Sequence, residues 1–102
     1  HDVLLTATLG EPTKRTGELD QRVPFDEFEQ QLSRYVPYTP VANFTGFPAM
    51  TVPLHRNPEG LPLGSHFMGR HGDEATLFQL AGQLERAHPW FDDYPEVSPT
   101  AP

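Results

Sequence analysis

The hydrophobic positions of the chain fall into short runs separated by segments that contain Gly and Pro. The first run, residues 2–9, opens with three consecutive large apolar residues and then alternates with threonine. This pattern is typical of a strand that is buried on both faces and therefore needs neighbouring elements. Residues 10–23 are polar, show no period and contain Gly and Pro, so we predict a loop there.

Two later segments have helical spacing. In residues 25–36 the acidic Asp26 and Glu27 lie in the first turn, which favours a helix N-terminus, and Pro37 ends the segment. In residues 73–87 Asp73 is placed as an N-cap, and Pro89 terminates the helix. The apolar stripes that define the two helices consist of Phe25, Phe28, Leu32, Tyr35 and Val36 in the first and Leu77, Leu80, Ala81, Leu84 and Ala87 in the second.

Between these helices the chain predicts a turn followed by two strands. A short helix or turn is expected up to Gly46, after which Pro48 forces an extended path through residues 49–52. Residues 55–61 carry a Pro-Glu-Gly turn between two apolar stretches, and residues 63–69 read as a strand. A β-hairpin is the economical interpretation.

Together these elements predict an α/β fold whose first strand expects a larger sheet. We expect one structural segment over residues 1–91. The tail, residues 92–102, is acidic and rich in proline, so we expect it to be mobile. A start at His1 rather than at methionine also suggests a piece of a longer protein.

Composition narrows the classes of function. The formal charge of -7 argues against nucleic acid or an anionic membrane as a partner, because both require clustered Lys and Arg. No segment approaches the ~20 apolar residues needed to span a bilayer. The absence of cysteine suits a reducing compartment, so we expect a cytoplasmic protein.

Three stretches, in this order, carry a resemblance to a known family. They are DVLLTATL at residues 2–9, PVANFTGFPAMTVPL at residues 40–54 and GLPLGSHFMGRHGDEATLFQLAGQLE at residues 60–85. They resemble the C-terminal region of the amidase-signature hydrolases, and GSHFMGR is similar to the branch that includes 6-aminohexanoate cyclic dimer hydrolases. The resemblance implies the C-terminal part of an α/β/α sandwich, with a few strands of a mixed sheet and two or three helices.

The resemblance also implies hydrolysis of carboxylic amide bonds by a Ser-Ser-Lys catalytic set, without a cofactor. That set belongs to a Gly-Ser-rich segment far upstream in the family, and no such run is present here. Of Ser33, Ser65 and Ser98, only Ser65 has a histidine beside it, and neighbours on a strand point to opposite faces. Lys14 in a solvated loop should be charged and a poor base. We therefore expect no catalytic residue in this chain.

Other candidate sites have simpler structural explanations. His66, His71 and Asp73 match no metal-ligand spacing, and a strand end followed by a helix cap accounts for them, so we expect no metal. The glycosylation pattern at Asn43 is taken as accidental in an intracellular protein. We expect Phe25, Phe28 and Phe78 to pack in a core, and Trp90 to clamp the last helix to the body.

Within the resemblance, residues 38–43 would line part of the substrate cleft, which makes Tyr38, Thr39 and Asn43 the substrate-binding candidates. Asn43 could instead hydrogen-bond the backbone beside the turn. The expected partners are a small-molecule amide and the N-terminal part of the amidase, and a piece that exposes apolar surface should self-associate.

Two alternatives to this amidase portion remain. The chain could be a binding or assembly module that keeps the fold without the chemistry, in which case it must cover its own sheet edges. A separate chain could also supply the N-terminal part of the enzyme.

Overall fold

The structure of the protein is a computed structural model, which describes residues 1–97. It contains three strands and three helices in the order expected from the sequence. The elements are β1 (Val3–Ala7), α1 (Phe25–Tyr35), α2 (Pro40–Thr45), β2 (Ala49–Arg56), β3 (Pro62–Gly69) and α3 (Glu74–Ala87). The predicted α/β class is confirmed, and β1 is shorter at both ends than the apolar run that predicted it.

The three strands form an antiparallel sheet with the order β1-β3-β2. The predicted hairpin joins β2 to β3, and its turn is closed by Asn57, whose N–H donates to the Leu61 carbonyl over 2.9 Å. β1 then pairs with the free side of β3, with Thr6 opposite His66 and Ala7 opposite Ser65. The hairpin strand β3 is therefore the centre of the sheet.

The core lies between one face of this sheet and α3. Its buried side chains are Val52 from β2, Phe67 from β3 and Leu77 from α3. Trp90, just after α3, packs against this cluster as predicted. Among the described residues no side chain is less than 2% exposed, so the core of the chain is small.

Two helix ends follow the expected local chemistry. Asp73 caps α3, because its side chain accepts a hydrogen bond from the Thr76 N–H over 3.3 Å. Gly46 ends α2 with a φ of 71°, a left-handed conformation that glycine adopts without a Cβ clash. The reversal at Gly46 turns the chain from α2 towards Pro48 and β2.

Gly64 permits the close approach of the two strands that flank β3. A Cβ built on Gly64 would lie 2.5 Å from Thr8 Oγ1 and 2.6 Å from Thr51 Cγ2. Without that Cβ, the Thr8 hydroxyl donates a hydrogen bond to Thr51 Oγ1 across β3, over 3.3 Å. A side chain at this position would separate the two threonines.

Two predictions of burial are wrong for this chain. β1 is not buried on both faces: Leu4 is 54% and Leu5 is 61% exposed. The reason is that α3 packs mainly on β2 and β3, so that of β1 only Val3 is packed against the core. Phe25 and Phe78 are 77% and 78% exposed rather than packed in a core, because no other part of the described chain covers their rings.

The segment after α3 contacts the hairpin. Arg56 of β2 forms an ion pair with Asp93, and the Arg56 Nη1 group donates to the Gly60 carbonyl over 2.7 Å. The predicted tail, residues 92–102, therefore begins beside the β2 end, and its residues 98–102 lie outside the described residues.

Candidate functional site

An apolar groove crosses the face of the sheet opposite α3. It has a volume of about 230 Å3. Its floor comes from β1 and β3, and its wall from the segment that leads into α2. The lining residues are Leu4, Thr6, Pro37, Tyr38, Val41, His66 and Met68.

His66 is the buried polar group of this groove. It is 5% exposed, and its Nδ1 lies 3.0 Å from Thr6 Oγ1 on the neighbouring strand. Burial lowers the pKa of the His66 imidazole below its ordinary value, so the ring is neutral at pH 7. A neutral imidazole offers one donor and one acceptor, and the contact with Thr6 occupies Nδ1. Nε2 can therefore serve a ligand in the groove.

The sequence did not reveal the position of His66 in a groove. The strand prediction placed it on β3 and explained it as part of a strand end. The available signal was a polar residue inside an apolar strand. The contact with Thr6 joins residues 60 positions apart, which no local pattern indicates.

The three predicted substrate-binding residues lie in one short segment, with different surroundings. Tyr38 is 42% exposed and forms part of the groove wall. Thr39 occupies the N-cap position of α2 without a side-chain capping bond and is half-buried. Asn43 is exposed on α2, and within residues 1–97 its side chain makes no hydrogen bond to the backbone. Only Tyr38 thus reaches the groove.

The serines are dispersed. Ser33 is exposed on α1, Ser65 lies on β3, and Ser98 falls outside the described residues. Ser65 pairs with Ala7 and Val52, and His66 follows it on the same strand, so the two side chains point to opposite faces of the sheet. Neither described serine therefore has a histidine in position as a base.

Lys14 is held as a cation. Its Nζ lies 2.5 Å from Glu11 Oε2 and 5.5 Å from the centre of the Tyr35 ring. The hydrogen bond with Glu11 raises the pKa of the Lys14 amine above its ordinary value. A protonated amine cannot accept the proton of a serine, so Lys14 is unsuited to act as a base.

The histidines and the aspartate near the end of β3 have separate contacts. His66 contacts Thr6 in the groove. The His71 ring instead packs edge-on against the Phe47 ring, with 6.1 Å between the two ring centres. Asp73 accepts hydrogen bonds from the backbone and hydroxyl of Thr76. Over residues 1–97 no three His, Cys, Asp or Glu side chains are grouped in a way that could hold a metal ion.

A second depression adjoins the groove. It has a volume of about 440 Å3 and shares Leu4 and Met68 with the groove. Phe47 and the backbone near Gly69 form its other side. The two depressions together form an apolar surface around Leu4 of β1 and Met68 of β3.

Within residues 1–97, no helix combines the length and the hydrophobicity that a membrane-spanning segment requires.

Comparison with known proteins gives a consistent result. Residues 1–78 match the sequence model of the family described as Amidase. The chain is 40% identical over 90 residues to a putative amidase AmiC of Mycobacterium leprae, a match that covers 88% of this chain and 19% of that protein. It is 39% identical over 97 residues to a putative amidase AmiB2 of Mycobacterium bovis, which covers 95% of this chain and 21% of that protein.

A solved structure is similar as well. The structure of 6-aminohexanoate cyclic dimer hydrolase complexed with substrate superposes with a TM-score of 0.81 at 30% identity. The superposition covers 93% of this chain and 21% of that chain. The chain therefore spans about a fifth of the length of the relatives it matches.

Proposed function

The chain belongs to the amidase family, and from this membership we propose that it forms the C-terminal portion of an enzyme that hydrolyses carboxylic amide bonds. The observation that carries the proposal is the match itself. It extends over nearly all of this chain and over about a fifth of each relative. The remaining part of the enzyme would supply the Ser-Ser-Lys catalytic set and bind a small-molecule amide together with this portion.

The exposed surface supports a portion that packs against further protein. The chain exposes 7916 Å2, whereas a folded monomer of this mass exposes about 5800 Å2. Its radius of gyration is 15.9 Å, compared with about 13 Å for a single domain of this length. A stand-alone binding module would have to cover Leu4, Leu5, Phe25 and Phe78, all of which are exposed here.

The dispersion of the nucleophilic groups supports the proposed division of labour. A serine nucleophile needs a base within hydrogen-bond reach. In residues 1–97 Ser33 and Ser65 lack one, and Lys14 is paired with Glu11. The catalytic serines and lysine are therefore assigned to the remaining part of the enzyme.

We assign one wall of the acyl-binding cleft to Tyr38, Thr39 and Asn43. Tyr38 borders an apolar groove, and Asn43 presents on the exposed side of α2 an amide that makes no hydrogen bond within residues 1–97. An amide side chain can both donate to and accept from the amide of a substrate. Residues 1–91 form the amidase segment in this proposal, residues 92–102 form a tail, and the absence of cysteine suits a cytoplasmic enzyme.

The direct test is a chimera. The fifth of 6-aminohexanoate cyclic dimer hydrolase that superposes on this chain is replaced by this chain, and hydrolysis of the cyclic dimer is measured. We expect activity well above that of the hydrolase truncated at the same position. A soluble, folded chimera that is no more active than the truncated protein would contradict the proposal.

The cleft residues are tested in the same chimera. Asn43→Ala should lower kcat/KM by roughly fivefold to tenfold, which corresponds to one lost hydrogen bond of about 1 kcal/mol. Gln79→Ala removes an amide from an exposed position on α3 and is the matched control. Equal kcat/KM values for the two variants would show that Asn43 does not bind substrate in the cleft.

The isolated chain provides the second test. A fluorophosphonate that labels activated serines should give no adduct by intact mass, because neither described serine has a base. A stoichiometric adduct that disappears in Ser65→Ala would show that the chain carries a nucleophile of its own. Size exclusion and a thermal melt distinguish the amidase portion from a stand-alone binding module. The module requires a monodisperse chain that unfolds cooperatively.

A further inference from the structure

The groove on the sheet face opposite α3 is lined by seven side chains, of which four are apolar. The other three are polar: Thr6, Tyr38 and His66. The lining contains no carboxylate, lysine or arginine. A charged group that entered the groove would therefore lose its hydration without meeting a counter-charge. The lining favours an uncharged and largely apolar occupant.

One atom of the buried imidazole is unsatisfied. The His66 ring is 5% exposed, and its Nδ1 lies 3.0 Å from Thr6 Oγ1. Over residues 1–97 Nε2 has no hydrogen-bond partner, although every fully sealed side-chain nitrogen or oxygen in that range has one. Nε2 is therefore not sealed in the packing, and the groove is a space that His66 borders. A polar atom that opens into an apolar groove can fix the orientation of a ligand.

The contact with Thr6 sets what Nε2 can bind. If the Thr6 hydroxyl donates to Nδ1, Nε2 carries the proton of the neutral ring and donates; in the other tautomer Nε2 accepts. A carboxamide suits both cases, because it offers a carbonyl acceptor and an N–H donor. A carboxylate only accepts and an ammonium group only donates, and each also brings a charge into the groove.

The size of the groove indicates that it holds only part of a substrate. Its volume is about 230 Å3, whereas small-molecule sites usually have volumes of about 300–1,000 Å3. Tyr38, which we assign to the acyl-binding cleft, forms part of the groove wall and connects the two. In the proposed enzyme the catalytic serines lie in the remaining part, so the amide that reacts lies there too. The group that meets His66 is then a second group of the substrate.

We infer that the groove is a specificity subsite for the non-reacting end of an amide substrate, and that His66 Nε2 hydrogen-bonds to an uncharged carboxamide at that end. This inference rests on the proposed function. The preferred substrates carry an apolar chain and a second, uncharged amide group. Substrates with a carboxylate or an ammonium group in that place are disfavoured.

The isolated chain tests binding without catalysis. Hexanamide, which combines an apolar chain with one carboxamide, is titrated while the imidazole proton signals of His66 are followed by NMR. We expect a saturable shift. Hexanoate and hexylammonium, which carry charges on chains of similar length, should bind at least about tenfold more weakly. Equal affinity for the three compounds, or no saturable shift with hexanamide, would overturn the inference.

Three variants of the isolated chain test the role of the imidazole, with the Tyr38 ring signals as the readout. His66→Leu should weaken hexanamide binding at least about fivefold, because one hydrogen bond is lost. His66→Gln keeps an amide donor and acceptor and should retain most of the affinity. His55→Leu changes an exposed histidine of β2 that does not line the groove, and it is the matched control.

Unchanged affinity in His66→Leu would overturn the inference. If His66→Leu does not fold, the comparison of hexanamide, hexanoate and hexylammonium on the unaltered chain decides instead.

The chimera with 6-aminohexanoate cyclic dimer hydrolase tests the same preference in an enzyme, by competitive inhibition of cyclic dimer hydrolysis. Adipamide, which has a carboxamide at each end, should inhibit at least about fivefold more strongly than hexanamide, and His66→Leu should abolish the difference. An active chimera that both compounds inhibit equally overturns the inference and leaves the proposed function intact.

Binding to the chimera separates the remaining outcomes. A soluble chimera that does not bind hexanamide would show that the remaining part of the enzyme fills the groove, which also overturns the inference. An inactive chimera in which hexanamide shifts the His66 signals supports the subsite and counts against the proposed function.

Discussion

At the scale of single residues, His66 combines burial with a position in the groove. The ring is 5% exposed, and the other side chains that line the groove carry no charge at neutral pH. A proton on His66 would therefore be buried without a counter-charge. Neutral His66 accepts or donates one hydrogen bond with Thr6, depending on its tautomer, and keeps the sheet face polar at a single point.

The stability of the chain should therefore fall in mild acid. The pKa of His66 is lower in the folded than in the unfolded state, so the unfolded state binds more protons as the pH falls below about 6.5. The stability that neutral His66 contributes is fully present above that pH, and it decreases as the pH falls towards the pKa of His66 in the folded state. Thermal melts between pH 8 and pH 5 measure this loss, and His66→Gln should reduce the slope. An unchanged slope in His66→Gln would show that other groups cause the loss.

For the groove, the sequence indicated that Tyr38 would be near a site, but it did not indicate which hydrogen bonds form there. Tyr38, a predicted substrate-binding residue, lies on the groove wall, whereas the alternative hydrogen bond of Asn43 to the backbone does not form within the described residues. The contact between Thr6 and His66 depends on the register of β1 against β3. That register follows from the packing of distant segments rather than from local periodicity.

At the scale of elements, α3 depends on its N-cap. Asp73 satisfies a backbone N–H that would otherwise be free, and it also binds the Thr76 hydroxyl over 2.7 Å. Asp73→Ala should lower the free energy of unfolding by about 1 kcal/mol. The measurement is a urea titration followed by circular dichroism. Asp92→Ala, an exposed aspartate after α3, should have little effect, and equal losses would rule out a specific capping role.

Two glycines should respond in opposite directions to alanine. Gly46 has a φ of 71°, so a Cβ there is strained and Gly46→Ala should cost about 1 kcal/mol. Gly82 lies within α3, where a Cβ would contact only the end of the Arg86 side chain, at 3.4 Å. Gly82→Ala should therefore stabilise the chain by about 0.5–1 kcal/mol. Melting temperatures that shift in the same direction would contradict this assignment.

The elements themselves were predictable because their signals are local. The α3 cap, the Gly46 reversal and the hairpin turn each depend on residues a few positions apart, and all three form as expected. The exposure of Phe25 and Phe78 could not be predicted. Helical spacing shows which side of a helix is apolar, and it does not show whether this chain supplies the surface that covers it.

At the scale of the whole molecule, apolar side chains are divided between a small core and a large exposed set. Phe25→Ser and Phe78→Ser together should change the stability of the isolated chain by less than about 0.5 kcal/mol, while reducing its binding of a hydrophobic dye. Phe67→Ser, in the core, should cost at least about 3 kcal/mol. In the chimera we expect the double variant to be destabilising, because in the proposed enzyme the remaining part would cover both rings. A large loss in the isolated chain would show that the rings are already packed.

The position of β1 in the sheet also affects the order of folding. β2 and β3 are joined by a short turn and can pair as soon as both have been synthesised. Thr6 of β1, in contrast, can contact His66 only after a further 60 residues have been synthesised. At the usual rate of synthesis this delay is roughly 3–12 s. During that time an apolar, uncharged strand is exposed to other nascent chains. We therefore expect the pairing of β1 with β3 to be the slow, non-local step of folding. Aggregation can compete with folding until that pairing has formed.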